Sequence, residues 1–137
     1  AKFHPAGILG KKLYLKVADI YPNNEMPAVN PSDNLRKVIM EISSKRLGAT
    51  AVVDNGTLKG IVTDGDLRRM LEKQVNLESV TAENVMSPDP KTASPDMLVS
   101  DALDLMRSNS ITQLLVLDEK KYVGVIHLHD ILKEGLL

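Results

Sequence analysis

The apolar residues of the chain fall into short runs whose spacing predicts alternating helices and strands. The first helical stripe follows the i, i+3, i+4, i+7 spacing and consists of Leu35, Val38, Ile39 and Ile42. Asn30 before Pro31 predicts the N-cap and first turn of this helix, because proline lacks an N–H that a first turn leaves unpaired. The helix is predicted to end at about Arg46, and Ala28-Val29 before it predicts a short extended segment.

Two further apolar runs predict a hairpin. Residues 49–53 and 58–62 are separated by Asp54-Asn55-Gly56, which is a turn signal. Thr63 or Asp64 is then predicted to cap a second helix that ends at about Lys73. The unit therefore has the order short strand, helix, two strands, helix.

This unit occurs twice, and we refer to the two occurrences as copy one and copy two. Residues 60–67 correspond to residues 124–131 at an offset of 64 (124 − 60 = 64), and the lead-in segments 19–21 and 84–86 correspond at 65 (84 − 19 = 65). Because each unit of a repeat buries its apolar faces against its neighbour, the copies are predicted to pack through their sheets.

Copy two repeats the predicted elements of copy one. A helix is predicted to start at Ser94-Pro95 with a stripe of Val99, Ala102, Leu103 and Met106. Strands are predicted at 113–117 and 122–126, a last helix near His129, and a loop between the copies at 74–79. The methionines on the helical stripes are predicted to be core residues: Met40, Met70 and Met106.

The composition is that of an ordinary globular protein of one domain. Hydrophobic residues make up 43% of the 137 residues and charged residues 26%. Lys plus Arg (17) nearly balance Asp plus Glu (18), and aromatic residues are 3%, so neither nucleic acid nor a membrane surface is expected as a partner. The absence of cysteine excludes disulfides and thiolate metal sites. No spanning apolar run or signal-peptide pattern is present, so we expect a cytoplasmic location.

Copy one places candidate binding chemistry where its last predicted strand meets a helix. Thr63 can donate a hydrogen bond to a phosphate oxygen, and the ionised Asp66 carboxylate can accept hydrogen bonds from ribose hydroxyls. The unpaired N–H groups of a helix start also attract anions. The alternative interpretation is that Thr63, Asp64 and Asp66 only cap the helix, as Thr and Asp commonly do.

Copy two has His127 and Asp130 at the equivalent positions. His127 can donate to a phosphate, and because histidine titrates near neutral pH it would make anion binding depend on pH. His127, His129 and Asp130 also allow a metal interpretation, but a good site needs three or four converging ligands, and we predict no metal. The alternative places His127 on the wall of a cleft and gives His129 a helix-capping role.

Both copies close with one pattern: Gly, two apolar residues, Thr or Ser, two further residues, and Asp. GIVTDGD in copy one matches it fully, whereas GVIHLHD in copy two has His127 in the Thr or Ser position. Found twice at aligned places, the pattern resembles the CBS domain, a tandem ligand-sensing module, over residues 17–135. The resemblance implies an α+β fold of two pseudo-symmetric CBS repeats, each β-α-β-β-α, packed through their sheets. It divides the chain into a linker (1–16), repeat one (17–76) and repeat two (77–137).

The resemblance also implies a nucleotide-type ligand between the repeats and no cofactor. In the family, the positions of Thr63 and Asp66 bind phosphate and ribose, which implies the same for His127 and Asp130 in copy two. The weaker candidates flank this cleft or begin copy two: Thr50, Thr112, Gln113 and Lys91. Arg68 and Arg69 follow the first motif and could reach an anionic ligand, although solvated surface is the better interpretation for at least one of them.

A narrower resemblance appears at the edges of the repeats. His4-Pro5-Ala6-Gly7, TDGDLRR and HLHDILKEG together resemble the C-terminal half of arabinose-5-phosphate isomerases. In that family a sugar-isomerase domain precedes such a linker and a CBS pair, and a histidine in the second motif is usual. The resemblance implies a catalytic role for His4 only together with the sugar-isomerase domain.

We therefore predict a regulatory module that senses a nucleotide or nucleotide-sugar for an arabinose-5-phosphate isomerase. That enzyme interconverts ribulose 5-phosphate and arabinose 5-phosphate for the octulosonate sugar of lipopolysaccharide. The fragment itself is not expected to be an enzyme, because no nucleophile or second base accompanies His127 and Asp130. Adenine nucleotides and cytidine-activated sugars are both compatible with the ribose and phosphate contacts.

The alternative function is a purely structural dimerisation module with an empty cleft. A homodimer is expected in either case, because the predicted helices that follow the two motifs carry more apolar residues than a small module leaves in water. These residues are Leu67, Met70, Leu71, Ile131, Leu132, Leu136 and Leu137.

Overall fold

The computed structural model describes residues 14–73 and 76–135, which form one mixed sheet with helices packed against it. Copy one contains β1 (Ala28–Val29), α1 (Leu35–Lys45), β2 (Ala49–Asp54), β3 (Thr57–Thr63) and α2 (Asp64–Glu72). Copy two contains α3 (Ala82–Val85), β4 (Ser87–Pro88), β5 (Thr92–Ala93), α4 (Val99–Ser108), β6 (Gln113–Asp118), β7 (Lys121–His127) and α5 (Leu128–Lys133). Short 3₁₀ helices lie at Val17–Asp19, Tyr21–Asn23 and Leu77–Ser79.

The sheet confirms the predicted pseudo-symmetric arrangement. Strand β1 runs parallel to β2, and β2 and β3 form an antiparallel hairpin through Asn55 and Gly56, both at positive φ. Copy two repeats this order with β5, β6 and β7. The two halves join where Thr57 of β3 pairs with Lys121 of β7, so the strand order is β1-β2-β3-β7-β6-β5, with β4 also paired to β3.

The first long helix of each copy begins later than predicted. Asn34, not Asn30, is the N-cap of α1, because its Oδ1 accepts a hydrogen bond from Lys37 N at 2.9 Å. Asn30 instead closes a tight turn in which its N–H donates to Asp33 Oδ2 at 2.7 Å. The segment that begins at Ser94 likewise forms a turn, with Met97 N donating to the Ser94 carbonyl, and α4 starts at Val99. These turns satisfy the polar groups that the sequence pattern assigns to helix caps.

Each helix buries one face, but two predicted core residues are exposed. All four stripe residues of α4 are buried, whereas on α1 Ile39 is 40% exposed and Met40 is 63% exposed. Ile39 lies at the margin of the α1 stripe and Met40 lies on the opposite face, so neither points at the sheet. Met70 and Met106 are buried, as predicted. None of the helices in the described part of the chain is long and apolar enough to cross a membrane.

The helices α2 and α5 do not present the apolar face that was predicted for dimerisation. Met70 and Ile131 are buried core residues, and Leu67 packs against the copy one core. Leu71 is 56% exposed, whereas Leu132 is half-buried. The predicted residues Leu136 and Leu137 lie outside the described residues, as does His4 in the predicted linker.

The two copies exchange the segments that lead into their main elements. We refer to residues 17–24 and 80–87 as the exchanged lead-ins of copy one and copy two. Val17 and Ile20, which precede copy one, are buried in the core of copy two, and Val17 N donates to the Met97 carbonyl at 2.9 Å. Val80, Ala82 and Val85, at the start of copy two, are buried in the core of copy one. A division of the chain at residue 77 therefore does not separate two independent cores, and the predicted domain bounds stay a prediction.

A third apolar cluster joins the two copies between the two halves of the sheet. It consists of Leu47, Ala49, Ala51, Ile61, Leu115, Tyr122 and Val125. The hydroxyl of Tyr122 donates to the Pro27 carbonyl at 2.6 Å, so its polar atom is satisfied inside the cluster. Burial raises the pKa of Tyr122, and the nearby charge of Glu41 raises it further, which keeps the phenol neutral.

The exchanged lead-ins approach the sheet at glycines, which generates a stability prediction. A Cβ on Gly60 would lie 2.7 Å from the Ser87 carbonyl oxygen and 2.8 Å from Met86 Sδ, both in the copy two lead-in. We expect Gly60→Ala to lower the free energy of unfolding by about 1–3 kcal/mol, because backbone must move to accept the methyl group. Urea denaturation measures this change.

Gly65→Ala is the matched control for this substitution. A Cβ on Gly65 would meet the flexible end of Arg69 at 3.4 Å, which is an ordinary contact. We expect its effect to stay within about 0.5 kcal/mol. Equal effects of the two substitutions would contradict the close approach of the exchanged lead-in.

Candidate functional site

The two motifs occupy equivalent positions, where the last strand of each copy meets the following helix. Thr63 is the N-cap of α2: its Oγ1 accepts from Asp66 N at 3.2 Å, while Asp66 Oδ2 accepts from Thr63 N at 2.9 Å. In copy two, His127 N donates to Asp130 Oδ2 at 2.8 Å. His127 is also the N-cap of α5, so the capping role predicted for His129 is wrong. Both motif carboxylates therefore take part in reciprocal caps.

The Asp66 carboxylate of copy one is saturated with hydrogen bonds. Its Oδ2 accepts from the Thr63 backbone and from Thr63 Oγ1, the latter at 3.0 Å. Its Oδ1 accepts from Arg69 Nη2 at 2.7 Å and from Ser87 Oγ at 3.0 Å. A carboxylate offers about four lone pairs, so these four donors leave none for a ligand. Asp66 is also only 7% exposed.

The Asp130 carboxylate of copy two has an open oxygen. Its Oδ2 accepts from His127 N and from Asn24 Nδ2, each at 2.8 Å. Asn24 belongs to the exchanged lead-in of copy one and also donates to the Val125 carbonyl at 2.9 Å. Within residues 14–73 and 76–135, no group donates to Oδ1 of Asp130, and the residue is half-buried. The carboxylate is thus held in place by one oxygen and can accept a ligand on the other.

His127 is a neutral histidine with a defined tautomer. Its Nδ1 accepts from His129 N at 3.0 Å, so the neutral ring carries its proton on Nε2 and can donate from there. Burial lowers the pKa of His127, the stacked His129 ring at a centroid distance of 4.9 Å lowers it further, and Asp130 opposes both. In the described part of the chain, no three His, Asp or Glu residues converge as metal ligands.

The other candidate residues differ in their contacts and in their exposure. Gln113 pairs with His127 across the hairpin, and its Nε2 reaches copy one to donate to the Leu47 carbonyl at 3.0 Å. Thr112 is exposed next to it, and its carbonyl accepts from Leu128 N. Thr50 is fully buried and its hydroxyl donates to the Ala51 carbonyl, so it presents no surface to a ligand. Lys91 is exposed in the loop before β5.

The comparison with known families agrees with this geometry. The sequence pattern of the CBS domain matches residues 17–73 and 82–136, so each match contains one motif and most of one copy. The chain belongs to the CBS domain family. This confirms the resemblance drawn from GIVTDGD and GVIHLHD, and with it the predicted fold class of two CBS repeats.

The curated relatives of this CBS pair are sugar-phosphate isomerases. Arabinose 5-phosphate isomerase KdsD from Yersinia pestis is 42% identical over 136 residues, which cover 98% of this chain and 42% of that protein. The enzyme of the same name from Francisella tularensis is 45% identical over 132 residues, which cover 95% of this chain and 40% of that protein. The chain spans about two fifths of the length of the curated relatives it matches.

Solved structures share the fold of the CBS pair over most of its length. The CBS domain of a CBS domain-containing membrane protein from Sphaerobacter thermophilus has a TM-score of 0.80 and 26% identity, covering 97% of this chain and 94% of that one. The CBS domain of a bacterial CNNM/CorC family Mg²⁺ transporter, in complex with ATP, has a TM-score of 0.76 and 19% identity, covering 94% and 92%. CBSX2 in complex with AMP has a TM-score of 0.71 and 22% identity, covering 89% and 96%.

Sequence reasoning missed two residues that shape the sites and left a third unassigned. Asn24 and Ser87 contact the motif carboxylates from lead-ins of the opposite copy, so no local pattern links them to the motifs. Arg69 had a usable signal, because a basic residue three positions after Asp66 on a helix lies within reach of it. Arg68 is exposed and corresponds to the solvated surface expected for one of the two arginines.

The capping role of His127 predicts a pH dependence of stability. In the unfolded chain His127 has its ordinary pKa of 6.5, whereas its pKa in the fold is lower. Between these two pKa values the unfolded state binds more protons than the folded state. The contribution of neutral His127 to the free energy of unfolding is therefore complete above pH 6.5 and is lost as the pH falls through the folded pKa. His127→Thr keeps a capping oxygen and removes this titration, so its stability should change less than that of the parent between about pH 7 and 5.

Urea denaturation across this pH range measures the difference, with His129→Gln as the control. That substitution leaves the His127 imidazole in place, so the parent's pH dependence should largely remain. If His127→Thr and the parent lose stability in parallel, the half-buried neutral His127 does not control acid stability.

Proposed function

We propose that this CBS pair is the regulatory region of an arabinose 5-phosphate isomerase and binds a nucleotide or nucleotide-sugar between its copies. The identity to two such enzymes along nearly the whole chain supports the assignment. Catalysis, the conversion of ribulose 5-phosphate to arabinose 5-phosphate for the lipopolysaccharide sugar, then belongs to a sugar-isomerase domain of the longer cytoplasmic protein. The CBS pair itself contributes no catalytic step and transmits the presence of its ligand.

The observation that carries the ligand proposal is the open oxygen of Asp130. Oδ1 has no donor among the described residues, while Oδ2 is fixed by Asn24 and His127. A ribose diol supplies the hydroxyl donors that such a carboxylate accepts. His127 Nε2 can donate to a phosphate of the same ligand. The chemistry of copy two therefore fits a phosphorylated riboside.

The solved CBS domains with AMP and ATP agree with this ligand class. Their identity to this chain is 22% and 19%, so the likeness extends to the fold, and the ligand class here depends on Asp130 and His127. AMP, ATP and cytidine-activated sugars all offer a ribose and a phosphate. Gln113 pairs with His127 across the hairpin, so we expect it to contact the base or sugar part of the ligand.

The proposal predicts that Asp130 controls nucleotide affinity. Asp130→Asn keeps the shape of the side chain but loses the charge and one acceptor, which we expect to weaken binding at copy two by about tenfold or more. Isothermal titration calorimetry with AMP, ATP and a cytidine-activated sugar measures the change. Asp104→Asn, on the exposed side of α4, is the matched control for charge and should bind as the parent does.

Unchanged binding by Asp130→Asn would remove copy two as the nucleotide site. No binding of any of these probes by the parent would favour the alternative, a purely structural dimerisation module with an empty cleft. Thermal denaturation of each variant in the absence of ligand shows whether the fold is intact, so that loss of a contact is separated from loss of structure.

We also propose that the chain forms a homodimer, the assembly expected from the sequence. Three exposed apolar residues in the described part of the chain, Ile39 and Met40 on α1 and Leu77, line one groove of about 410 Å³. This is a different surface from the predicted helices α2 and α5, whose apolar residues are largely buried. Sedimentation at micromolar concentration tests the dimer, and Met40→Glu should dissociate it if α1 forms the interface.

A further inference from the structure

We propose that Arg69 is an internal occupant of the ribose acceptor in copy one, so that the two copies bind ribonucleotides with unequal affinity. Copy two is the tight site and copy one the weak site. This inference rests on the proposed function only in its ligand class. Its physical basis is the contrast between two carboxylates that the repeat places in equivalent positions.

Arg69 covers the oxygen that is open in the other copy. Its Nη2 donates to Asp66 Oδ1 at 2.7 Å, a short, charge-assisted hydrogen bond. The guanidinium also lies over the start of α2, since a Cβ on Gly65 would be 3.4 Å from Arg69 Nη1. A ligand that approaches Asp66 along this path meets the guanidinium first.

Ser87 completes the closure from the opposite copy. Its hydroxyl donates to the same Oδ1 at 3.0 Å, and Thr63 takes both positions on Oδ2. A ribose diol must therefore displace at least Arg69 before it can bind Asp66. The exchanged lead-in of copy two thus contributes to blocking the acceptor of copy one.

The sequence explains why copy two lacks this block. The residue equivalent to Arg69 is Lys133 (69 + 64 = 133), and among the described residues Lys133 forms no ion pair with Asp130. Lysine is a compact, strongly hydrated point charge, whereas arginine presents a planar set of donors that matches a carboxylate. The exchange of arginine for lysine therefore removes one of the two donors that cover Oδ1 in copy one, the other being Ser87.

The block is reversible in principle, because the Arg69 side chain is 67% exposed whereas that of Asp66 is 7% exposed. Water can therefore hydrate the guanidinium when it leaves, provided that a ribose hydroxyl replaces it as the donor to the buried carboxylate. Copy one is therefore expected to bind weakly rather than not at all. Removing the guanidinium should release the acceptor without disturbing the caps made by Thr63.

Calorimetry with ATP as the probe tests the inference in two backgrounds. The parent should bind one tight equivalent of ATP, and Arg69→Ala should add a second. In the Asp130→Asn background, which isolates copy one, Arg69→Ala should tighten ATP binding by at least about tenfold. Arg69→Gln provides a second variant of similar length, and denaturation without ligand confirms that each variant is folded.

Arg68→Ala is the matched control. Arg68 is the exposed neighbour of Arg69 on α2, so its removal changes the net charge equally but leaves Asp66 covered. We expect it to bind ATP as the parent does, or slightly more weakly, because a positive charge near an anionic ligand is lost.

The outcomes separate this inference from the proposed function. Weaker ATP binding by Arg69→Ala, or two equal sites in the parent, would overturn the inference, because Arg69 would then contact the ligand or block nothing. One site that is lost in Asp130→Asn and unaffected by Arg69→Ala would also overturn it while supporting the proposed function. A site that appears only in Arg69→Ala would support the block by Arg69 in copy one, but it would overturn both the unequal pair of sites and the proposed site in copy two. No binding by any variant would overturn both.

Discussion

The reciprocal exchange of lead-in segments is the constraint on which the structure depends. Val17 and Ile20 complete the core of copy two, and Ala82 and Val85 complete the core of copy one, so neither copy has a closed core of its own. The segments can reach these positions only where the sheet lacks a side chain, which explains the glycines at the start of both motifs. The exchange also delivers Asn24 to Asp130 and Ser87 to Asp66. Core packing and the geometry of the sites therefore have a common cause.

This arrangement links each motif carboxylate, Asp66 or Asp130, to the opposite copy by a hydrogen bond. Asn24 bridges Asp130 and the Val125 carbonyl, and Ser87 bridges the copy two lead-in and Asp66, so a movement of either lead-in changes the hydrogen bonding of a motif carboxylate. The apolar cluster between the two halves of the sheet, with Tyr122 hydrogen-bonded to Pro27, resists independent movement of the copies. A ligand bound in one copy would therefore act on a structure in which the two copies are linked, as the proposed regulatory function requires.

The sequence predicted the elements whose determinants are local and missed those whose determinants are distant. The hairpins, the repeat and the cap at Thr63 follow from turn residues and from alternation within a few positions, whereas the cap of α5 was assigned to His129 and is formed by His127. The helix starts were misplaced because Asn30 and Ser94 form turns that satisfy the same polar groups as a cap. The contacts of Asn24 and Ser87 with the motif carboxylates join residues 106 and 21 positions apart, so only the folded chain reveals them. Burial of Thr50 likewise depends on the tertiary packing around β2, which the local sequence does not show.

Under the proposed function, helix capping and ligand binding do not compete for the motif carboxylates, because the two roles would use different oxygens. In both copies Oδ2 accepts from the N–H of the N-cap residue, which fixes the side chain and satisfies the helix start. Under the proposed function, the capacity of each copy to bind a ligand then depends on whether Oδ1 is free to accept a hydrogen bond. In copy one, Arg69 and Ser87 fill that oxygen, whereas in copy two no described residue does. A repeated backbone thus gives two carboxylates with different hydrogen bonding through residues outside the shared motif, so the motif alone does not distinguish the open carboxylate from the covered one.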